Sequence, residues 1–290
     1  MWYQIQIENC QHEQIELLND YLENAGALSI TLTDKNDDPV LEPAPGTTPL
    51  WPDVVINALF SDENEALQTL SNLQSDFPML NSHMESLPDQ DWERSWMDDF
   101  KPQQFGKRLW ICPSWHTPPE PEAVNLILDP GLAFGTGNHA TTSLCLHWLG
   151  NNDVSGKTII DYGCGSGILA LAALKLGADK AYAVDIDPQA LQATENNAIS
   201  NHLLNEHLQI SLPEALNEPV DLMIANILLS PLLQLKEVFH KLLNPQGRLL
   251  VSGILNEQVQ GLVKEYENHF ALQQTYNHEG WSLLEFIRNE

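Results

Sequence analysis

Apolar and polar side chains alternate from Trp2 to Glu8, the two-residue period of a half-buried strand. Ile15, Leu18 and Leu22 then recur at helical spacing, and Gly26 stands where such a helix would stop. Alternation returns over residues 27–33, and residues 34–52, rich in Pro, Asp, Gly and Thr, read as a loop. The cycle repeats with a strand over 54–60, a helix over 63–73 that sets Leu67, Leu70 and Leu73 on one face, and a short closing strand over 83–87. The order β-α-β-β-α-β predicts a small ferredoxin-like α+β domain over residues 1–90. Residues 91–102 are aromatic, charged and helix-compatible, and read as a linker helix whose tryptophans pack. A strand over 109–115 and a turn at Pro118, Pro119 and Pro121 follow. From about residue 125 to the end, short β-branched runs alternate with helical patterns, as in a parallel sheet covered by helices. Residues 103–290 therefore read as a second, α/β domain.

The chemistry concentrates where one of those strands ends. Residues 158–171 run from a buried strand into Asp161-Tyr162-Gly163-Cys164-Gly165-Ser166-Gly167 and on into an Ala/Leu-rich helix. Glycine is needed where the backbone takes positive φ or must come close to a ligand, and a helix N-terminus behind the turn offers free N–H groups. Gly177-Ala178 closes the helix, and residues 181–187 form a second strand ending in Asp185 and Asp187. A carboxylate there, 22 residues after Gly163, suits hydrogen bonding to ribose hydroxyls. A dinucleotide fingerprint would require a glycine at position 168, where this chain has Ile168. Asp161 would also repel a pyrophosphate. S-adenosylmethionine, with a ribose, an ammonium and a sulfonium but no phosphate, matches a turn flanked by Asp161 and Asp185.

Two further stretches belong to the same reading. A second glycine-rich loop at residues 128–142 contains Phe134, Gly135, Thr136 and Gly137 and leads into a helix over 141–149, which Thr141 and Thr142 can cap. Such a loop can fold over a cofactor, with Phe134 against the adenosine or sulfonium and Thr142 near the methionine end. The strand over 220–226 ends in Asn226, at the carboxyl edge where open α/β sheets place their chemistry. Its amide oxygen can accept a hydrogen bond from an amine and aim the nitrogen lone pair at a methyl group. His139 is a conceivable proton acceptor, although a loop-organising role suits it better. Methyl transfer from a sulfonium needs alignment rather than a metal.

Charge changes the picture of the first domain. The chain carries 40 acidic and 13 basic residues, a net charge of −27. Residues 1–90 hold 16 acids and one base, Lys35. Nucleic-acid affinity is largely phosphate neutralisation, so this segment is not a general RNA-binding module and would attract a basic partner instead. Hydrophobic residues make up 43% of the chain, enough for a sizeable core, yet no run of 18 uncharged apolar residues suggests a membrane span. The N-terminal residues lack the basic leader of a signal peptide, and four dispersed cysteines fit a reducing cytoplasm.

Taken together, residues 129–142, 160–171, 183–188, 221–228 and 249–255, with the segment 92–102, resemble the ribosomal protein L-eleven methyltransferase family (PrmA) along nearly the whole chain. Phe134-Gly135-Thr136-Gly137-Asn138-His139-Ala140-Thr141-Thr142 is the most specific part of that resemblance. It implies a seven-stranded Rossmann-like methyltransferase domain behind a ferredoxin-like substrate-recognition domain. It also implies S-adenosylmethionine-dependent methylation of a basic ribosomal protein at lysine side chains and the N-terminal α-amine, up to the trimethyl state. Cofactor contacts carry over to Phe134, Thr142, Gly163, Asp185 and Asn226. With the neighbours of these residues, the candidate cofactor site comprises Phe134, Thr136, Thr142, Asp161, Gly163, Gly165, Asp185, Ile186, Asn226 and Leu228, with Asn226 also positioning the amine. Many amine methyltransferases end this strand in Asn/Asp-Pro-Pro-Tyr/Phe. Asn226-Ile227-Leu228-Leu229 has no ring, so any aromatic shield for the amine must come from elsewhere. The expected partner is that ribosomal protein, with no direct nucleic-acid or membrane binding and a monomeric chain. The rival readings are an RNA or small-molecule methyltransferase on the same fold, and a non-catalytic acidic chaperone of basic proteins. The first would call for a basic stripe, and the last for decay of the glycine turn.

Overall fold

Trp2–Glu8 forms strand β1, as its alternation requires, and its inward side chains Ile5 and Ile7 are fully buried. The computed structural model describes residues 1–36, 50–88, 100–129 and 139–290. It divides into two compact units, Met1–Met97 and Asp98–Glu290. In the first unit β1 is followed by α1 (His12–Asn24), β2 (Ser29–Asp34), β3 (Val54–Phe60), α2 (Glu63–Asp76) and β4 (Asn81–Leu87). The sheet order is β2-β3-β1-β4, antiparallel throughout, with β1 and β3 central: the ferredoxin-like arrangement. Leu18 and Leu22 of α1 pack on one face of the sheet with Ile56, Ala58 and Phe60, and Ile15 is buried on the same helix. Burial of each large side chain contributes roughly 1.5–3 kcal/mol.

Three local expectations are corrected. The buried face of α2 is Ala66, Thr69 and Leu73, whereas Leu67 is 47% exposed. Ala66 and Thr69 sit where α2 approaches the sheet, and small side chains let it come close. The strand expected over 27–33 begins at Ser29, because Gly26 at φ +94° and the half-turn after it end α1 first. The strand expected over 109–115 stops at Cys112, where Pro113 removes an N–H donor. The anticipated helix over 91–102 lies mostly outside the described residues, as does most of the loop over 34–52.

The second unit opens with a small three-stranded sheet, β5 (Gln103–Phe105), β6 (Leu109–Cys112) and β7 (Val124–Ile127). Then follow α3 (Ala140–Asn151), β8 (Thr158–Tyr162), α4 (Ile168–Lys175), β9 (Lys180–Val184), α5 (Pro188–Ser200) and β10 (Leu208–Ser211). The chain ends with β11 (Val220–Asn226), α6 (Leu229–Lys241), β12 (Leu243–Leu255), α7 (Val259–Tyr266), β13 (Phe270–His278) and β14 (Trp281–Arg288). The seven strands of the main sheet lie in the order β10-β9-β8-β11-β12-β14-β13. β10 to β12 run parallel and β14 is antiparallel to both its neighbours. This is the Rossmann-like architecture of the methyltransferase fold. Separate apolar clusters cover the two faces, one around Ile159, Leu169 and Leu250, the other around Ile160, Phe239 and Phe286. Strands buried on both faces read as continuous apolar runs, which is why 158–162 and 220–225 carry so little alternation. Among the described residues no helix is long and apolar enough to cross a membrane.

Connections from β8 run one way to β9 and β10, and the chain then returns to the other side of β8 as β11. The switch point falls between β8 and β11, and open α/β sheets bind ligands at the carboxyl ends there. Ala225 pairs with Tyr162, so Asn226, the last residue of β11, and Gly163, the first after β8, follow neighbouring positions.

Candidate active site

Asp161, the last but one residue of β8, is 1% exposed. Its Oδ2 accepts the N–H of Ala170 at 3.0 Å. Ala170 lies in the first turn of α4, whose N-cap is Gly167 and therefore has no side chain to offer. The preceding strand thus caps the helix in place of its own cap residue. The other oxygen, Oδ1, is buried with no hydrogen-bond partner among the described residues. Loss of solvent raises the carboxyl pKa to about 7, the Ala170 N–H opposes the rise, and the charge of Asp185 adds to it. A buried, half-satisfied carboxyl is the kind of group that a cationic ligand completes.

A pH dependence follows from this raised pKa. Between about pH 4 and 7 the folded chain holds a proton on Asp161 that the unfolded chain has lost, so this group's contribution to stability falls as pH rises across that window. A cation beside Oδ1 favours the ionised form. S-adenosylmethionine should therefore bind about tenfold more weakly at pH 6 than at pH 8, with proton release on binding at the lower pH. Calorimetry in buffers of different ionisation enthalpy measures both, and Asp161→Asn should flatten the profile. A flat profile in the unaltered chain rules out this linkage.

The glycine turn is braced from three sides. Gly163 and Cys164 both donate to the Val184 carbonyl, at 2.8 and 3.0 Å. Asp185 accepts the Gly165 N–H on Oδ2 and the Asp187 N–H on Oδ1, each at 3.0 Å. Thr194 Oγ1 donates to the Gly165 carbonyl at 3.0 Å, and Asn197 Nδ2 donates to the Ser166 carbonyl at 2.8 Å. Gly163, Gly165 and Gly167 all take positive φ, between +53° and +77°, which bulkier residues enter at a cost. Ile168, at the position of a dinucleotide's third glycine, is buried in the core.

At the neighbouring strand end, Asn226 Nδ2 donates to Thr142 Oγ1 at 3.2 Å. In this orientation the amide nitrogen faces Thr142, and the carbonyl oxygen has no donor among the described residues. Thr142 is buried in the first turn of α3. The expectation that Thr141 and Thr142 cap this helix is corrected: the N-cap is His139, whose Nδ1 lies 2.8 Å from Thr141 Oγ1 and accepts the Thr141 N–H. Its ring meets the edge of Trp281, and burial lowers its pKa, so it is neutral at pH 7. An aromatic nitrogen in an N-cap position is rarer than a hydroxyl, and here two threonines follow it within the first turn.

The structure brings Thr142, Asp161, Gly163, Gly165, Asp185, Ile186, Asn226 and Leu228 to the carboxyl edge of β8, β9 and β11 or to the helix beside it. Phe134 and Thr136 lie outside the described residues. Ile186 and Leu228 are 81% and 55% exposed, two bare apolar side chains at strand ends. These features fit S-adenosylmethionine: an orphaned buried carboxylate oxygen for a cation, a strand-end carboxylate for a ribose, and exposed apolar side chains for a purine. Residues outside the sequence reading also build the site. Thr194 and Asn197 lie one turn apart on the core-facing side of α5, and polar residues interrupting a buried face are the signal that could have found them. Ser211 ends β10 beside Val184 with a buried, unpartnered hydroxyl.

The family model described as ribosomal protein L11 methyltransferase (PrmA) matches residues 1–289. A ribosomal protein L11 methyltransferase of Legionella pneumophila (strain Philadelphia 1) is 61% identical over 286 residues, 99% of either chain. Its counterpart in Nitrosococcus oceani is 51% identical over 287 residues, 98% of each. The crystal structure of a ribosomal protein L11 methylase from Lactobacillus delbrueckii subsp. bulgaricus superposes with a TM-score of 0.60 at 33% identity, covering 66% of this chain and all of that one. With that match over nearly its full length and a glycine turn, Asp185 and Asn226 set at one sheet edge, the chain belongs to the ribosomal protein L11 methyltransferase (PrmA) family.

Proposed function

We propose that this chain transfers methyl groups from S-adenosylmethionine to amines of ribosomal protein L11, at lysine side chains and the N-terminal α-amine, up to the trimethyl state. The bound cofactor supplies an electrophilic methyl on a positively charged sulfur. Asp185 and the Gly163–Gly167 turn hold its nucleoside, Asp161 faces its cationic end, Ile186 and Leu228 flank its base, and Thr142 lies near its methionine end. The observation that carries the reading is the Asn226–Thr142 hydrogen bond. With the amide nitrogen turned to Thr142, an acceptor rather than a donor is offered at the switch point. A neutral amine has an N–H to donate to that oxygen, and the bond orients its lone pair. Lysine has an ordinary pKa of about 10.4, so the site must also favour the neutral form, which desolvation beside a positive charge achieves.

The ferredoxin-like unit serves as the recognition domain. One face of its sheet carries α1 and α2, and the opposite face is open. Gln4, Gln6, Glu8, Thr31, Thr33 and Asn57 line a shallow concavity of about 620 Å³ there. With Lys35 as the one basic residue of positions 1–90, this domain repels phosphate and draws a basic protein. Methylation therefore acts on the free ribosomal protein before assembly, in the cytoplasm, by a monomeric chain whose four cysteines are buried as free thiols.

Purified L11 incubated with this chain and S-adenosylmethionine should gain successive methyl masses at amine positions. Transfer to RNA or to small molecules with none to L11 would refute the assignment. Binding of L11 should weaken several-fold as salt rises from about 50 to 200 mM, because surface attraction is screened over about 10 Å at 0.1 M. Free L11 should also bind more tightly than L11 in assembled ribosomes. The reverse order overturns the pre-assembly step.

A further inference from the structure

Two glycines on separate strands close on one residue. A Cβ added at Gly163 would collide with Cγ2 of Ile227. A Cβ added at Gly253 would collide with the Ile227 carbonyl oxygen and lie 2.8 Å from its carbonyl carbon and 3.1 Å from its nitrogen. Both glycines take positive φ, +77° and +84°. Gly253 sits in the irregular stretch of β12 between Val251 and Ile254, next to Ser252, which pairs with Asn226. The turn after β11 is thus clamped, its backbone on Gly253 and its side chain on Gly163. Asn226 immediately precedes the clamp, and Gly163 opens the turn that hangs on Val184 and Asp185.

We propose that Ile227 is a positioning residue for methyl transfer: its Cγ2 methyl, seated on the bare Cα of Gly163, sets the spacing between the glycine turn and Asn226. The inference deepens the reading above and rests on it. β8 and β11 are paired as far as Tyr162 and Ala225, and beyond that pair the two backbones diverge. The hydrogen bond from Asn226 runs to α3 and leaves the distance to the glycine turn unset. A β-branched side chain is stiff at χ1, so it serves as a spacer of defined length. In-line displacement needs nitrogen, methyl and sulfur nearly collinear, and a displacement of about 1 Å can lower the rate about 100-fold. Gly163 is then required for a second reason: any side chain there would push the spacer away.

Valine keeps both γ-carbons of isoleucine, whereas leucine keeps the volume but has no Cγ2. Ile227→Leu should lower kcat about tenfold while the affinity for S-adenosylhomocysteine (SAH), the demethylated cofactor, and the KM for L11 stay within about threefold, and Ile227→Val should retain clearly more activity than Ile227→Leu. A packing role predicts the opposite order, set by apolar volume. Gly163→Ala should weaken SAH binding, and Gly163→Ala/Ile227→Ala should recover at least about tenfold of it, since the strain of alanine at positive φ is the same in both. Calorimetry and thermal unfolding with SAH read this suppression without turnover, so it holds or fails independently of which amine is methylated. Leucine equal to or better than valine, or a double variant no better than Gly163→Ala, overturns the proposal. Failure of transfer to L11 with suppression intact would instead refute the substrate assignment.

Discussion

Asp185→Ala should raise the dissociation constant for S-adenosylmethionine about 100-fold, a loss of about 2.7 kcal/mol. The size follows from what the carboxylate holds together. One oxygen accepts the Gly165 N–H and the other the Asp187 N–H, so alanine strands two backbone donors as well as removing the acceptor for a ribose. Leaving a hydrogen-bonding group without its partner costs about 1–3 kcal/mol where water cannot replace it. Asp185→Asn separates the two contributions. An amide keeps one acceptor oxygen but presents a donor where a second acceptor is required, so it should fall between alanine and the unaltered chain, about tenfold weaker. Calorimetry with SAH measures both variants, and unfolding of the free chain checks that the sheet is intact. Unchanged affinity in Asp185→Ala would remove this residue from the cofactor site.

The fold was legible where chemistry and periodicity agree. β1, β3 and β11 come from 2–8, 54–60 and 220–226 at the stated limits, and the acidic first domain showed its element order despite having no diagnostic motif. The main error in the core, the buried face of α2, has a plain cause. Leu70 and Leu73 do pack against the core as the spacing predicts, but Leu67 is exposed and Ala66 and Thr69 complete the contact surface, because close approach to the sheet favours small side chains over large ones. At the site, Asp161, Gly163, Asp185 and Asn226 could be placed from sequence because each ends a strand. What escaped was what braces them. Thr194 and Asn197 hold the glycine turn from α5, His139 caps α3, and Ile227 touches two glycines that lie 90 positions apart. Such contacts depend on which strand ends come together, and the order of strands around a switch point is a property of the folded sheet, not of any local run of residues.

Asn226→Ala should lower kcat for methyl transfer about 100-fold or more while leaving the affinity for L11 within about threefold. The carbonyl oxygen of Asn226 is the proposed acceptor for the amine, and Nδ2 of the same amide is bonded to Thr142 Oγ1. Removing the side chain deletes the group proposed to orient the amine, and it alters no residue of the proposed docking face. Uniform loss of binding would raise KM with kcat unchanged, whereas loss of orientation falls on kcat. Thr142→Val tests the same argument from the other side. It removes the oxygen that receives Nδ2 without changing side-chain shape, so the amide is free to turn its nitrogen toward the crevice. A donor there competes with the amine's own N–H, and kcat should fall about tenfold, less than in Asn226→Ala because one of the two amide orientations still works. Single-turnover kinetics on purified L11 resolve these changes from product release. Wild-type turnover in Asn226→Ala would reject the orienting role, and equal losses in the two variants would place the decisive contact at Thr142 instead.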